Sequence, residues 1–362
     1  MQFDEETLSR LAAIGWRVDA PLPDGTDPAW RAARVVVQHR NGYVLNDGSD
    51  EFPAQPAPRF LRRRAAPEDR PAVGDFVLVD AATPAVIHAV LPRRTTLARA
   101  AAGERYARQI IATNIDTAFV LMGLDGDFNP RRIERYLLLL AGSGVRPVIV
   151  LTKADFLADA AMHAEIAALR AQIPQEVELH AMNVKRAPMV APLLRHLQRG
   201  DTAVLLGSSG AGKSTLTNTL LGHARQATGA VREHDSRGRH TTTYRALITL
   251  PSGGCLIDTP GMRELKLTGE EDLAEASFDD VEALALECRF GDCAHGAEPG
   301  CAVRAALESG ALDPARWDSY RKLRGELGVA NESLAAQLER KAGAKVQTRA
   351  LGKRLVDKYG RR

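Results

Sequence analysis

The sequence predicts a multidomain chain: an N-terminal OB-type β-barrel, a central α/β domain with a parallel sheet around a phosphate loop, and a C-terminal helical domain that binds a metal. Three observations predict it. Short β-like runs separated by Gly, Asp and Asn fill residues 31–99, strand-and-helix units alternate over 105–270, and three of the four cysteines crowd between 288 and 301. At 362 residues and 45% hydrophobic, the chain can bury more than one core.

Residues 1–30 read as an N-terminal extension. "MQFDEETLSR" is acidic and lacks an apolar h-region, and no run approaches the ~18 apolar residues of a membrane span. A cytoplasmic location with no membrane partner is the expectation. From Arg31, the runs "ARVVVQHRNGYVLN", "VGDFVLVD" and "AVIHAVLP" match a five-stranded barrel. OB barrels often bind nucleic acid; the alternative is a barrel used for protein contact alone. Tyr43, Phe52, Phe60 and Phe76 are few for base stacking, while arginines crowd "RFLRRR" and "LPRRTTLAR", which favours RNA phosphate over base readout. The Pro- and Arg-rich "APRFLRRRAAPEDRPA" reads as a mobile loop of the barrel.

The central domain opens with a strand, "NIDTAFVLMGL", a helix, "PRRIERYLLLLAGS", and a second strand, "VRPVIVL", running into Thr152, Lys153, Ala154 and Asp155. This is the [NT]-K-x-D pattern of guanine readers. One carboxylate, Asp155, can accept from both N1–H and the exocyclic amine of guanine, whereas adenine presents an acceptor at N1. Lys153 can lay its methylene stem over the base. Thr152 stands where Asn is commoner, leaving fewer side-chain amide bonds to brace the phosphate loop. A helix near 158–171, the strand "EVELHA" and a helix near 188–198 follow.

"TAVLLG" is apolar enough for a buried parallel strand, and "KSTLTNTLLG" reads as a helix ending at Gly222. Between them Gly207, Ser208, Ser209, Gly210, Ala211, Gly212, Lys213, Ser214 and Thr215 fit the phosphate-loop pattern G-x-x-x-x-G-K-[ST]. Backbone N–H groups cradle phosphates at a helix N-terminus, Lys213 reaches the β and γ oxygens, and the Ser214 hydroxyl ligates Mg²⁺. Downstream, "GGCLIDTPGM" is a strand ending in Asp258 and Gly261, the D-x-x-G of GTPases. Asp258 would hold Mg²⁺ through water, and the Gly261 N–H would sense the γ-phosphate. In "SRGRHTTTYRA", Thr241 or Thr242 can close on Mg²⁺ and γ-phosphate as a first switch. Cys255 reads as a core residue of its strand. Ordinary small GTPases meet phosphate loop, switch and D-x-x-G before the base-reading motif, so this domain is a circularly permuted P-loop GTPase. In this order the segment after D-x-x-G leads directly out of the domain.

Over 271–330, Cys288, Cys293, His295 and Cys301 are spaced C-x₄-C-x-H-x₅-C, matching a closed, structural Cys₃His zinc site. The helical piece around it reads as too poor in apolar residues for a large core. In the basic tail, 331–362, Lys341, Lys345, Arg349 and Lys353 recur every four residues; such a stripe is either a solvated helical face or a polyanion contact.

The order of barrel, TKAD, GSSGAGKST, GRHTTT, DTPG and C-x₄-C-x-H-x₅-C resembles the RsgA (YjeQ) family, bacterial GTPases dependent on the small ribosomal subunit, over about residues 31–330. The resemblance implies GTP and GDP as ligands with Mg²⁺, one structural Zn²⁺, and binding to the 30S subunit and its 16S rRNA near the decoding region late in assembly. It also implies hydrolysis stimulated by that subunit and release of the assembly factor RbfA. A monomer is expected. His240 is similar to a histidine suggested in the family to orient the attacking water, since Met262 stands where many GTPases place glutamine. His180-Ala181 replaces the usual Ser-Ala of the last guanine-contacting loop; the Ala181 N–H can still donate to guanine O6.

The mechanism these readings give is a GTP-gated RNA-binding switch, in which hydrolysis releases the barrel and the zinc domain from ribosomal RNA. Two alternatives stay open: a non-catalytic RNA-binding assembly module with a structural nucleotide site, and a GTPase switch for another RNA or protein partner.

Overall fold

The computed structural model describes residues 4–17, 23, 25–39, 41–62, 67–100, 108–222, 245–258, 267–268, 273 and 278–331. Its first five strands are β1 (Arg31–His39), β2 (Gly42–Asn46), β3 (Glu51–Pro56), β4 (Phe76–Val79) and β5 (Ala85–Val90). They pair in the cycle β1-β2-β3-β5-β4 and back to β1, a closed barrel. Ala33, Val35, Leu45, Val77, Val79 and Ile87 fill its interior.

The N-terminal extension contributes more than the sequence suggested. Helix α1 (Glu5–Ala13) is capped by the Asp4 side chain, which accepts from the Thr7 N–H at 2.7 Å. Leu11, Ile14 and Trp16 pack on Phe76 and Leu78, the β4 side chains that point out of the barrel. Strand β4 is thus buried on both faces, which explains its unbroken apolar run. The arginine-rich segment also departs from the expected mobile loop. Its first part forms a short helix, α2 (Pro58–Leu61), that buries Phe60 in the barrel core, with the Arg59 guanidinium 4.8 Å from the Phe60 ring centroid.

Strands β6 (Thr96–Ala100) and β7 (Arg108–Thr113) pair with each other, so the expected boundary at residues 99–105 falls between two bonded strands. The central domain follows with β8 (Thr117–Gly123), β9 (Arg146–Thr152), β10 (Glu178–Ala181), β11 (Thr202–Gly207), β12 (Arg245–Thr249) and β13 (Cys255–Asp258). The order is β10-β9-β8-β11-β13-β12, parallel except for β12. Strand β8 is apolar from Ala118 onward, as fits a strand covered on both faces. Ala118, Val120 and Met122 pack toward α3 (Pro130–Leu140) and α4 (Asp159–Arg170). Phe119 and Leu121 pack toward α5 (Ala187–Val190) and α6 (Lys213–Leu221). The helix expected near 188–198 is α5 followed by a 3₁₀ stretch, Ala191–His196, in which Pro192 lacks the N–H that would continue α-type bonding. Cys255 is fully buried in β13, as expected.

The barrel and the central sheet are continuous. A register shift between Val35 and Val37 bends β1, whose first half pairs with β4 while Val37 and Gln38 pair with Ala246 and Arg245 of β12. The C-terminal part comprises α7 (Asp279–Leu286), α8 (Ala302–Ser309) and a helix over 314–331. Contrary to expectation it has a substantial core: Phe278, Val281, Val303, Trp317, Tyr320, Leu323 and Leu327, closed by Leu138 from α3. Most of these residues lie outside the Cys/His loop. No helix among the described residues is long and apolar enough to cross a membrane.

Candidate nucleotide site and metal centre

Parallel pairing puts the carboxyl ends of β8, β9, β10, β11 and β13 at one edge of the sheet. An open parallel sheet builds its ligand crevice there. The edge collects Thr152, Lys153 and Asp155 after β9, Ala181 at the end of β10, the phosphate loop after β11 and Asp258 at the end of β13. Residues far apart in sequence thus share one crevice.

The loop geometry follows from its glycines. Gly207 has φ +146°, and a Cβ there would stand 2.5 Å from the Leu121 carbonyl oxygen. Gly212, at φ +94°, caps the N-terminus of α6. Lys213 Nζ donates to the carbonyls of Gly207 and Ser208 at 2.7 and 2.6 Å, so the ammonium sits over the loop. Burial pushes its pKa down, and the Asp258 carboxylate opposes this. Ser209, Gly210 and Ser214 are exposed, Ser208, Gly212 and Thr215 half-buried, and Ala211 buried.

Thr152 does brace the phosphate loop. Its buried hydroxyl donates to the Ala211 carbonyl at 2.8 Å, joining the base-reading turn to the loop with one bond. Lys153 adopts the left-handed conformation, φ +57°, and its ammonium pairs with Asp125 in the turn after β8. The sequence reading missed Asp125; the available signal was an Asp-Gly-Asp turn closing a parallel strand at the ligand edge. Asp155 is exposed at the mouth of the crevice and Ala181 is half-buried. The neighbouring His180 ring lies 3.5 Å from both Glu178 and Arg195. His240, Thr241, Thr242, Gly261 and Met262 lie outside the described residues, as does the basic tail from residue 332 onward.

In the C-terminal part Cys288, Cys293, His295 and Cys301 converge, their donor atoms all within 4.8 Å of one another. Cys288 Sγ lies 3.5 Å from His295 Nδ1 and 3.9 Å from Cys301 Sγ, and Cys301 Sγ lies 3.6 Å from His295 Nδ1. A tetrahedral zinc with sulfur at about 2.3 Å and nitrogen at about 2.0 Å would space S···S by about 3.8 Å and S···N by about 3.5 Å. The donor set therefore fits zinc. Backbone N–H groups of His295 and Arg304 point at the Cys293 and Cys301 sulfurs at 3.4 Å, a supporting arrangement for thiolates. Trp317 meets the His295 ring edge-on at 5.4 Å and ties the loop to the helical core.

Comparison with known proteins adds a family to this geometry. Residues 90–268 match the model of the RsgA GTPase family. Over 97% of both chains, the protein is 55% identical to a small ribosomal subunit biogenesis GTPase RsgA of Xanthomonas campestris pv. campestris (strain B100). It is 54% identical, again over 97% of both chains, to the protein of the same name from Xanthomonas oryzae pv. oryzae (strain PXO99A). Its fold is similar to that of YjeQ from Thermotoga maritima, with a TM-score of 0.58 and 24% identity over 82% of this chain and 98% of that one. YloQ, described as a circularly permuted GTPase, gives a TM-score of 0.57 at 23% identity over 85% and 98% of the two chains. Motif order, strand order and identity along nearly the whole length agree: the chain belongs to the RsgA GTPase family.

Proposed function

We propose that this protein is a GTP hydrolase that acts in biogenesis of the small ribosomal subunit. The observation that carries the reading is the meeting, at one sheet edge, of a guanine-type turn, a phosphate loop and the Asp258 strand end, tied together by the Thr152–Ala211 bond. Relatives named for this activity support it at 55% identity.

In this reading Asp155 accepts from guanine N1–H and its exocyclic amine, and the Ala181 N–H donates to O6. The loop N–H groups from Ser208 to Thr215 hold the phosphates, with Lys213 against the β and γ oxygens. Mg²⁺, held by Ser214 and Thr241 or Thr242 with Asp258 acting through water, would neutralise charge on the phosphates. His240 orients the attacking water once its loop is ordered. Cys288, Cys293, His295 and Cys301 would hold Zn²⁺, which would supply a structural cross-link for the C-terminal loop. The partners are the 30S subunit, its 16S rRNA and RbfA; the protein works as a cytoplasmic monomer, and hydrolysis drives its release.

Phosphate release from GTP and ATP, with and without purified 30S subunits, tests the reading. The expected result is strong stimulation by 30S for GTP alone, lost in Lys213→Ala; a slow rate that 30S leaves unchanged would refute it. Metal analysis of the purified protein is expected to find about one zinc per chain. Cys301→Ser should lower both zinc content and melting temperature, and a fully folded, zinc-free wild type would remove the structural role given to the metal.

A further inference from the structure

We infer that Asp125 is a positioning residue of the nucleotide site: by holding the Lys153 ammonium, it sets the lysine stem as a fixed wall of the guanine slot. The inference rests on the base-reading role proposed for the Thr152–Asp155 turn.

Three observations support it. First, the Asp125 carboxylate is Lys153's ion-pair partner, and both side chains are partly buried. A free lysine stem samples many rotamers, so a fixed ammonium removes an entropy loss that nucleotide binding would otherwise incur. Second, Asp125 is itself held in place: its carbonyl accepts from the Phe128 N–H at 2.9 Å and its side chain from the Asp127 N–H at 3.2 Å. The turn also hangs from β9, since the Leu124 N–H donates to the Thr152 carbonyl at 2.9 Å. Third, the space is made for this pair. A Cβ on Gly123 would stand 2.9 Å from Asp125 Oδ1 and 3.3 Å from Lys153 Cδ, so a side chain there would push acid and stem apart. The hydrogen bond from Lys153 also holds the Asp125 pKa below the usual carboxylate value.

The pair acts on the base end of the site and leaves the phosphate end untouched. It therefore affects GTP and GDP alike, chiefly through the rate of nucleotide loss.

The test is a double-mutant cycle on the full-length protein, reading dissociation of fluorescently labelled GDP. Asp125→Ala is expected to speed dissociation about three- to tenfold, the range of a partly buried ion pair combined with lysine ordering. Lys153→Met should do at least as much, and adding Asp125→Ala to it should change little. Asp125→Asn keeps an acceptor for both the ammonium and the Asp127 N–H and should restore most of the slow rate, so it is the cycle with Lys153→Met that separates holding of the lysine from loosening of the turn. If Lys153→Met speeds dissociation while Asp125→Ala does not, or if Asp125→Ala keeps its full effect in the Lys153→Met background, the inference is overturned and the base-reading turn survives. If neither Lys153→Met nor Asp155→Asn alters GDP dissociation, the reading of the turn fails instead.

Discussion

Asp155→Asn is expected to turn the site from guanine toward xanthine. Guanine offers two donors on one edge, N1–H and the 2-amine, and a carboxylate accepts both. A carboxamide accepts one and meets the second donor with its own NH₂, so GTP loses a charge-assisted fork worth up to about 3 kcal/mol, or about a hundredfold in affinity. Xanthine carries N1–H beside a carbonyl oxygen, the complement of that carboxamide, and XTP should gain affinity in the variant. Competition binding of GTP and XTP to both proteins measures this. Unchanged GTP affinity in Asp155→Asn would mean that the base is read elsewhere. The exposed position of Asp155, on a short 3₁₀ turn, makes a folding defect an unsuitable explanation for any loss.

Arg34→Ala should cost about 3–5 kcal/mol of stability, because several buried neutral acceptors lose their donor at about 1–3 kcal/mol each. Arg34 is fully buried at the junction of the extension, the barrel and the central sheet. It donates to the carbonyls of Ile14, Gly74 and Asn114 and to the Thr202 hydroxyl. These are neutral acceptors, and burial pulls the guanidinium pKa below its usual value. A guanidinium nevertheless stays protonated in proteins, and four of its five N–H groups tie four chain segments together. Removing them strands several carbonyls in a dry interior. Arg34→Lys should recover only part of the loss, because a point ammonium cannot reach donors spread across a planar fork. Denaturant unfolding checks this; a loss under about 1 kcal/mol for Arg34→Ala would show that water takes over those bonds.

The backbone of the candidate loops at the sheet edge was legible in the sequence because such loops depend on residue types close together in the chain. Gly207, Gly212 and Lys213 announce their backbone without knowledge of anything distant. Thr152 shows the limit: its identity suggested a weaker brace, and only the fold revealed that its hydroxyl reaches Ala211. Arg34 and Asp125 were missed for a related reason. Charged residues read as surface unless their acceptors are known, and those acceptors come from segments far along the chain. The C-terminal core was less legible because its apolar residues lie on helices flanking the polar Cys/His loop. Trp317, Tyr320, Leu323 and Leu327 recur at helical spacing and form the real apolar face. The break in helix after α5 had a local sign in Pro188 and Pro192, which the periodicity obscured.

The seam between β1 and β12 has a consequence for synthesis of the chain. The barrel strands all leave the ribosome early and can close on one another, yet the far half of β1 pairs with a strand more than half the chain away. Until β12 emerges, Val37 and Gln38 present part of an open strand edge to the surroundings, the kind of edge that recruits foreign strands. Folding of this protein is therefore not a simple succession of finished domains from the N-terminus. A nascent chain has to keep that edge unpaired through most of translation, and any fragment ending before residue 245 inherits it permanently.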